Sequence, residues 1–130
     1  FCACFSLKNI TIPDGVTEIG EGAFIGCQSL ESITIPEGVT SIGDSVFQHC
    51  TSLTNITIPD GVTSIGKSAF SYCSSLTTVY SKPATPPTLG SDVFKNASLS
   101  DIYVPTSSVS AYKSASGWSN YASQIEGYNF

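Results

Sequence analysis

The sequence predicts an α/β solenoid, a fold in which one short unit recurs along the chain and its copies stack as coils. Three observations predict this fold class: leucines at a fixed interval, a strand-like alternation after each leucine, and a turn signal after each alternation. A unit of 23 residues cannot bury its own apolar face, so neighbouring coils must bury it together.

A 23-residue repeat keeps its register across five leucines: Leu7, Leu30, Leu53, Leu76 and Leu99. Three consecutive units read LKNITIPDGVTEIGEGAFIGCQS, LESITIPEGVTSIGDSVFQHCTS and LTNITIPDGVTSIGKSAFSYCSS. The fourth unit, LTTVYSKPATPPTLGSDVFKNAS, keeps the length but has a Pro-rich stretch in place of the turn and lacks the cysteine. The backbone path of residues 82–90 is therefore left open.

Each unit begins with a short strand. In the unit that starts at Leu30, Ile33 and Ile35 alternate with Ser32 and Thr34, which is the pattern of a strand with one face in water. The Pro-Glu-Gly that follows is the chemistry of a tight turn. Parallel stacking of these strands predicts a continuous sheet.

The rest of the unit returns the chain to the next leucine. Val39 and Ile42 predict a second extended piece with apolar groups facing inward, and Gly43 allows a corner. Val46, Phe47 and Cys50 suit a single helical turn. Short helical turns on the side opposite the sheet complete the α/β coil.

The chain divides into a repeat region, residues 1–105, and a C-terminal cap, residues 106–130. The repeat region holds a partial first repeat, four full repeats and the start of a fifth. The cap is predicted as one or two short helices around Gly117, with the single Trp118 as a plug. The partial first coil predicts an open N-terminal edge and a possible self-association through it.

Charge and hydropathy exclude two classes of partner. The net charge is −5 and the chain has 5 Lys and Arg in total, too few for a phosphate-binding surface, so no nucleic-acid partner is expected. No apolar run approaches the roughly 20 residues of a membrane span, so no membrane insertion is expected.

The unit LxxIxIPxGVTxIGxxAFxxC resembles the BspA-like leucine-rich repeats, and the tail VPTSSVSAYKSASGWSNYA resembles the ending of many such proteins. The resemblance covers nearly the whole chain. It implies a leucine-rich-repeat solenoid of a secreted or cell-surface bacterial protein, often implicated in adhesion to host matrix proteins or other microbes. It brings no catalytic residue with it.

No residue pattern predicts a catalytic site, a metal site or a cofactor. Stacking places Cys4, Cys27, Cys50 and Cys73 about 5 Å apart, but parallel side chains point the same way, which favours buried thiols over a disulfide or metal. Cys2, in the partial first repeat, is the exception, because it is not expected to belong to this buried row. The acidic positions Asp14, Glu37 and Asp60 are interpreted as turn residues rather than Ca²⁺ ligands, and His49 as an exposed loop residue.

The exposed, concave face of the predicted sheet is the candidate site. Its small polar residues give way to tyrosine in the last two coils, and aromatic groups with a polar tip are typical interface anchors. Residues 82–90 are placed as a rim beside the tyrosines. The candidate binding residues are Asn55, Thr57, Thr78, Tyr80, Asp101 and Tyr103.

The sequence therefore predicts a non-catalytic binding or adhesion module, outside the cell or on its surface, for a host matrix or microbial surface protein or glycan. The alternative is a structural spacer that carries other domains. A spacer repeats the same exposed residues in every coil, whereas a binder varies them, and the change from Thr to Tyr favours the binder.

Overall fold

A computed structural model describes residues 5–130 and shows a stack of coils with three parallel sheets. The strands, in chain order, are β1 Asn9–Thr11, β2 Glu18–Ile19, β3 Ser32–Thr34, β4 Ser41–Ile42, β5 Asn55–Ile58, β6 Ser64–Ile65, β7 Thr78–Ser81, β8 Thr88–Leu89, β9 Asp101–Pro105 and β10 Ile125–Tyr128. Between β9 and β10 lie a 3-10 helix, Thr106–Ser108, the helix α1, Val109–Ser114, and a second 3-10 helix, Trp118–Gln124.

The first strand of every coil contributes to one face of the stack. There β1 pairs with β3 in one sheet, and β5, β7, β9 and β10 pair in that order in a second, all in parallel. The continuous sheet that was predicted is thus divided between β3 and β5. The second strands form a third sheet, in the order β2, β4, β6 and β8. The predicted parallel solenoid is confirmed, and the second extended piece of each coil forms a sheet of its own.

The return segments are chains of turns and contain no regular helix among residues 5–105. The Cys50 amide donates to the Phe47 carbonyl within one coil, while the Phe47 amide donates to Ala69 in the next coil. Ser45 and His49 have φ of 57° and 62°, a left-handed conformation that Gly22 and Gly26 adopt in the coil before. The predicted helical turn is thus replaced by turns that hydrogen-bond to the neighbouring coil.

The core consists of ladders of equivalent side chains from successive coils. The rings of Phe24, Phe47, Phe70 and Phe94 stack, with centroids 5.2 to 5.6 Å apart and nearly parallel planes. Ladders of leucine, isoleucine and cysteine lie beside them; Leu30, Leu53 and Leu76 are fully buried, and Leu99 is partly buried. Each coil therefore buries its apolar face against its neighbours.

The fourth unit contains a shift of one residue that is later reversed. Its first strand keeps the register of the repeat, because Thr78 pairs with Asn55, but Thr88 pairs with Ser64, one position further back than the repeat predicts. The Ala97 amide donates to Phe94 as the Cys73 amide donates to Phe70, so Ala97 occupies the cysteine position. One residue is gained in the Pro-rich stretch and one is lost before Leu99.

The C-terminal segment covers the last coil through buried aromatic residues. The Tyr112 hydroxyl lies 2.6 Å from the Pro83 carbonyl oxygen and 2.9 Å from Ser81 Oγ. The Trp118 indole N–H donates to the Pro87 carbonyl at 2.8 Å, and Ser108 donates to Ala84 at 2.7 Å. The cap thereby fixes the Pro-rich stretch, and Trp118 is fully buried as the plug that was predicted.

The cap also contains a strand that was not predicted. Ile125 of β10 pairs with Ile102 of β9, again one whole repeat earlier in the chain, so the sheet continues past the helices. The predicted cap was helical only, and this strand corrects it. The division of the chain at residue 105 stays a prediction.

Candidate functional site

The six predicted binding residues lie together on the outward face of the sheet that β5, β7, β9 and β10 form. Strand register places Asn55, Thr78 and Asp101 in one row across β5, β7 and β9. The same register aligns a second row of three residues: Thr57, Tyr80 and Tyr103. The inward residue between them on each strand, such as Val79, is buried, so these side chains project from the stack.

The two predicted tyrosines form part of a larger aromatic cluster. The rings of Tyr80 and Tyr103 stack with centroids 5.3 Å apart and planes 21° from parallel. Tyr128, on β10, lies across both, 5.6 Å from Tyr80 in an edge-on arrangement and 5.5 Å from Tyr103. The ring of Phe130 follows, 4.8 Å from Tyr128. We call these four residues the aromatic cluster.

A groove runs beside this cluster. It has a volume of about 340 Å³ and is lined by Thr57, Tyr80, Lys82, Tyr128 and Phe130. Tyr128 and Phe130 keep 44% and 50% of their surface exposed, which is high for large apolar groups. We call this feature the aromatic groove.

Of the Pro-rich stretch that was predicted as a rim, Lys82 lines the aromatic groove and residues 83–87 do not. The Pro83 and Pro87 carbonyls accept hydrogen bonds from the cap instead. Lys82 donates to Glu37 Oε1 at 2.9 Å, and this hydrogen bond raises the pKa of the lysine. The positive end of the groove is thereby neutralised by an acidic turn two coils away.

Two carboxylates lie near Tyr103, outside the lining of the groove. Asp101 stands two residues before Tyr103 on the same face, and Glu126 of β10 is the register partner of Tyr103. The Asp101 carboxylate, partial burial and Glu126 together raise the pKa of Tyr103. Its hydroxyl remains a hydrogen-bond donor at neutral pH.

Sequence reasoning missed Tyr128, Phe130 and Glu126 because residues 106–130 were read as helical. One signal was available: Ile125 follows Ile102 by one whole repeat, the interval that also separates Ile102 from Val79. Extending the repeat by one more strand places Glu126 beside Tyr103.

The side chains of Cys27, Cys50 and Cys73 are fully buried, as predicted for structural residues, and the thiols of Cys50 and Cys73 are free. Cys73 Sγ donates to the Phe47 carbonyl at 3.0 Å, and Cys50 Sγ donates to Phe24 at 3.3 Å. Burial raises the pKa of Cys73 to about 12 and that of Cys50 still further. A protonated thiol is a poor nucleophile and a poor metal ligand. Cys2 and Cys4 lie outside the described residues.

The remaining polar candidates are placed as their sequence context suggested. Asp14, Glu37 and Asp60 are exposed in the turns, and His49 is exposed with its ring stacked on Tyr72 at 4.7 Å. Among residues 5–130, no three His, Cys, Asp or Glu side chains are grouped as metal ligands would be. In the same range no helix is long and apolar enough to cross a membrane.

The N-terminal end of the stack exposes part of its apolar interior. In the described part of the chain, β1 pairs with β3 on one side and with no strand on the other. An apolar pocket of about 220 Å³ lies at this end, lined in part by Ile10, Ile19 and Phe24. Self-association through this edge stays a prediction.

Stacked parallel strands, ladders of leucine and phenylalanine, and an exposed face of variable residues define a leucine-rich-repeat solenoid. The model of the BspA-type leucine-rich repeat region matches residues 1–120 in 6 copies. The chain belongs to this family.

Two solved structures are similar to this chain. The leucine-rich repeat protein of T. pallidum is 36% identical, with a TM-score of 0.75, over 82% of this chain and 50% of that one. A leucine-rich cell surface protein of Faecalibacterium prausnitzii A2-165 is 30% identical, with a TM-score of 0.61, over 82% of this chain and 38% of that one. The chain thus spans half or less of their lengths. No protein of curated function matches the sequence.

Proposed function

We propose that this chain is a non-catalytic module that binds a partner protein through the aromatic groove. The observation that carries the proposal is the aromatic cluster itself. Four aromatic side chains meet at one end of a face whose first three strands, β1, β3 and β5, present Asn, Ser and Thr.

The physical argument is the energy of leaving such groups in water. Transfer of apolar surface from water stabilises a complex by about 25 cal/mol per Å², and tyrosine loses little conformational entropy when it is fixed at an interface. Residues of this type often contribute most of the energy of a protein interface. Tyr80 and Tyr103 are already held by stacking, so little further ordering is needed for them to bind.

We further propose that the module acts outside the cell or on its surface, in adhesion to a host matrix or microbial surface macromolecule. This part rests on the family and on one similar structure, which is described as a cell surface protein. Neither identifies the partner of this chain.

The test is surface plasmon resonance with a panel of matrix proteins and glycans. The Tyr80→Ala, Tyr103→Ala double variant is expected to lose binding by at least tenfold, because truncation of interface anchors typically costs more than about 1 kcal/mol each. The matched control is Thr11→Ala, Thr34→Ala, which alters the same row in the first coils. Equal binding by the two variants contradicts a site in the aromatic groove.

The spacer function has one observation in its favour: β1, β3 and β5 present nearly the same outward residues. A spacer needs no partner for this face. Absence of binding to every member of the panel by the folded chain, verified by circular dichroism, favours the spacer.

A further inference from the structure

We propose that the outward face around Tyr103, beside the aromatic groove, recognises a basic segment of the partner, with an arginine side chain packed on the aromatic cluster and paired with Asp101 and Glu126. This inference rests on the proposed function and specifies the chemistry of the partner. It follows from the positions of two carboxylates relative to the rings.

Both carboxylates flank Tyr103 on the outward face. Glu126 is its register partner on β10 and is exposed, and Asp101 precedes it by two residues on β9 and is half-buried. Residues directly opposite on adjacent strands have Cβ atoms about 5 Å apart. A cation above the Tyr103 ring is therefore within reach of both carboxylates.

These carboxylates have no cationic partner within the part of the chain that the structure describes. The single ion pair there joins Lys82 to Glu37, at 2.9 Å. Lys82 is thus directed toward the acidic turns and does not neutralise Asp101 or Glu126. Asp101 accepts a hydrogen bond from Ser100 Oγ at 3.3 Å, which leaves its charge in place.

The charge around Tyr103 favours a cation over a neutral or anionic ligand. The Asp101 carboxylate most of all, then burial and the Glu126 carboxylate, raise the pKa of Tyr103, as expected where negative charge lies close to the phenol. The faces of aromatic rings carry negative charge and attract cations, arginine most often. The chain as a whole has a net charge of −5, which also steers basic segments toward it.

Arginine fits this arrangement better than lysine. A planar guanidinium stacks on a ring and still donates two parallel hydrogen bonds to a carboxylate, whereas an ammonium is a strongly hydrated point charge. Tyr128 keeps 44% of its surface exposed and its ring lies 5.5 Å from that of Tyr103, so a planar group can reach the aromatic cluster beside the two carboxylates.

The test uses the whole chain and a nine-residue Gly/Ser peptide with three arginines, acetylated and amidated. Two control peptides replace each arginine, one with lysine and one with citrulline, which keeps the shape of the side chain and removes its charge. Isothermal titration and amide chemical shifts report binding. We expect the arginine peptide to shift the amide resonances of residues on β9 and β10, and the citrulline peptide to bind at least tenfold more weakly.

Two variants locate the charge. Asp101→Asn with Glu126→Gln is expected to weaken the arginine peptide about tenfold. Asp14→Asn with Glu18→Gln removes the same charge and the same residue types from exposed positions in the first coil, and is expected to change binding less than twofold.

Four outcomes overturn this inference. The first is no binding of the arginine peptide at millimolar concentration, and the second is equal binding of the arginine and citrulline peptides. The third is an equal loss of affinity in the two charge variants. The fourth is binding of a neutral oligosaccharide that depends on the tyrosines and is unchanged by Asp101→Asn, Glu126→Gln. The last outcome contradicts the arginine proposal and agrees with binding through the aromatic groove. If the Tyr80→Ala, Tyr103→Ala variant binds the arginine peptide normally, the proposed site itself fails.

Discussion

Single residues in this solenoid act as links in ladders, and the phenylalanine stack is the largest ladder. Phe47 is fully buried between the rings of Phe24 and Phe70. Its removal leaves a gap on both sides, because the backbone hydrogen bonds between coils keep the spacing fixed.

We expect Phe47→Ala to lower the free energy of unfolding by about 3 to 5 kcal/mol, measured by urea denaturation. Phe5→Ala is the control, because the Phe5 side chain is 60% exposed, and it is expected to change stability by less than about 0.5 kcal/mol. Similar losses in the two variants would show that the stack contributes little.

The buried thiols make stability depend on alkaline pH. The pKa of Cys73 is raised by burial from 9.0 to about 12. An unfolded chain releases this proton above about pH 9 and the folded chain retains it, so the stabilisation present below pH 9 is lost as pH rises toward 12.

We expect the free energy of unfolding to fall between pH 9 and pH 12, by up to about 1.4 kcal/mol per pH unit for each such thiol. Cys73→Ala should make the decline less steep, although it lowers stability at pH 7. An unchanged slope in this variant would mean that the thiol titrates normally in the folded chain.

At the scale of elements, the strands that follow each leucine could be predicted, since alternation and turn chemistry agree in every unit. The return segments could not be predicted, because Ser45 and His49 adopt a left-handed conformation although neither is glycine. The structures of the fourth unit and of β10 depend on contacts distant in sequence. Tyr112 of the cap donates a hydrogen bond to Pro83 in the stretch that contains the extra residue, and β10 is positioned by its pairing with β9.

The same contacts explain why half of the candidate site was found. Tyr80 and Tyr103 lie in strands whose phase the repeat fixes, so their outward direction followed from the sequence. Tyr128 and Phe130 follow a helical segment, and their side chains fold back over the sheet. Only the assembled cap shows this.

Tyr112 tests how the cap holds the Pro-rich stretch. We expect Tyr112→Phe to cost about 1 to 3 kcal/mol in the free energy of unfolding, because the buried Pro83 carbonyl and Ser81 hydroxyl lose a partner. Thermal denaturation gives the comparison with Tyr121→Phe, a half-buried tyrosine packed edge-on against Phe94, which should lose less. Equal losses would leave the hydroxyl of Tyr112 without a special role.

The whole molecule has contacts mainly between neighbouring coils, so its stability should vary along the stack. Ile19 lies in the first coil, where it pairs with Ile42, and Ile65 lies in the middle, between Ile42 and Leu89. A defect in the first coil touches one neighbour, and a defect in the middle touches two.

We expect Ile19→Ala to speed hydrogen exchange in β1 to β4 and to leave β7, β9 and β10 protected. Ile65→Ala should speed exchange in strands on both sides of it. Mass spectrometry of deuterated fragments gives the comparison. Uniform acceleration by Ile19→Ala would mean that all coils unfold as one unit.

The fixed register of the repeat has a consequence for reach. Neighbouring strands are about 4.8 Å apart, so each whole repeat added or removed before β1 moves the aromatic groove by that distance relative to whatever carries the chain. Because the groove is lined by residues of β5, of β7 with the adjacent Lys82, and of the segment that begins with β10, such a change leaves its chemistry intact. Repeat number can therefore act as a length scale that evolution tunes separately from recognition.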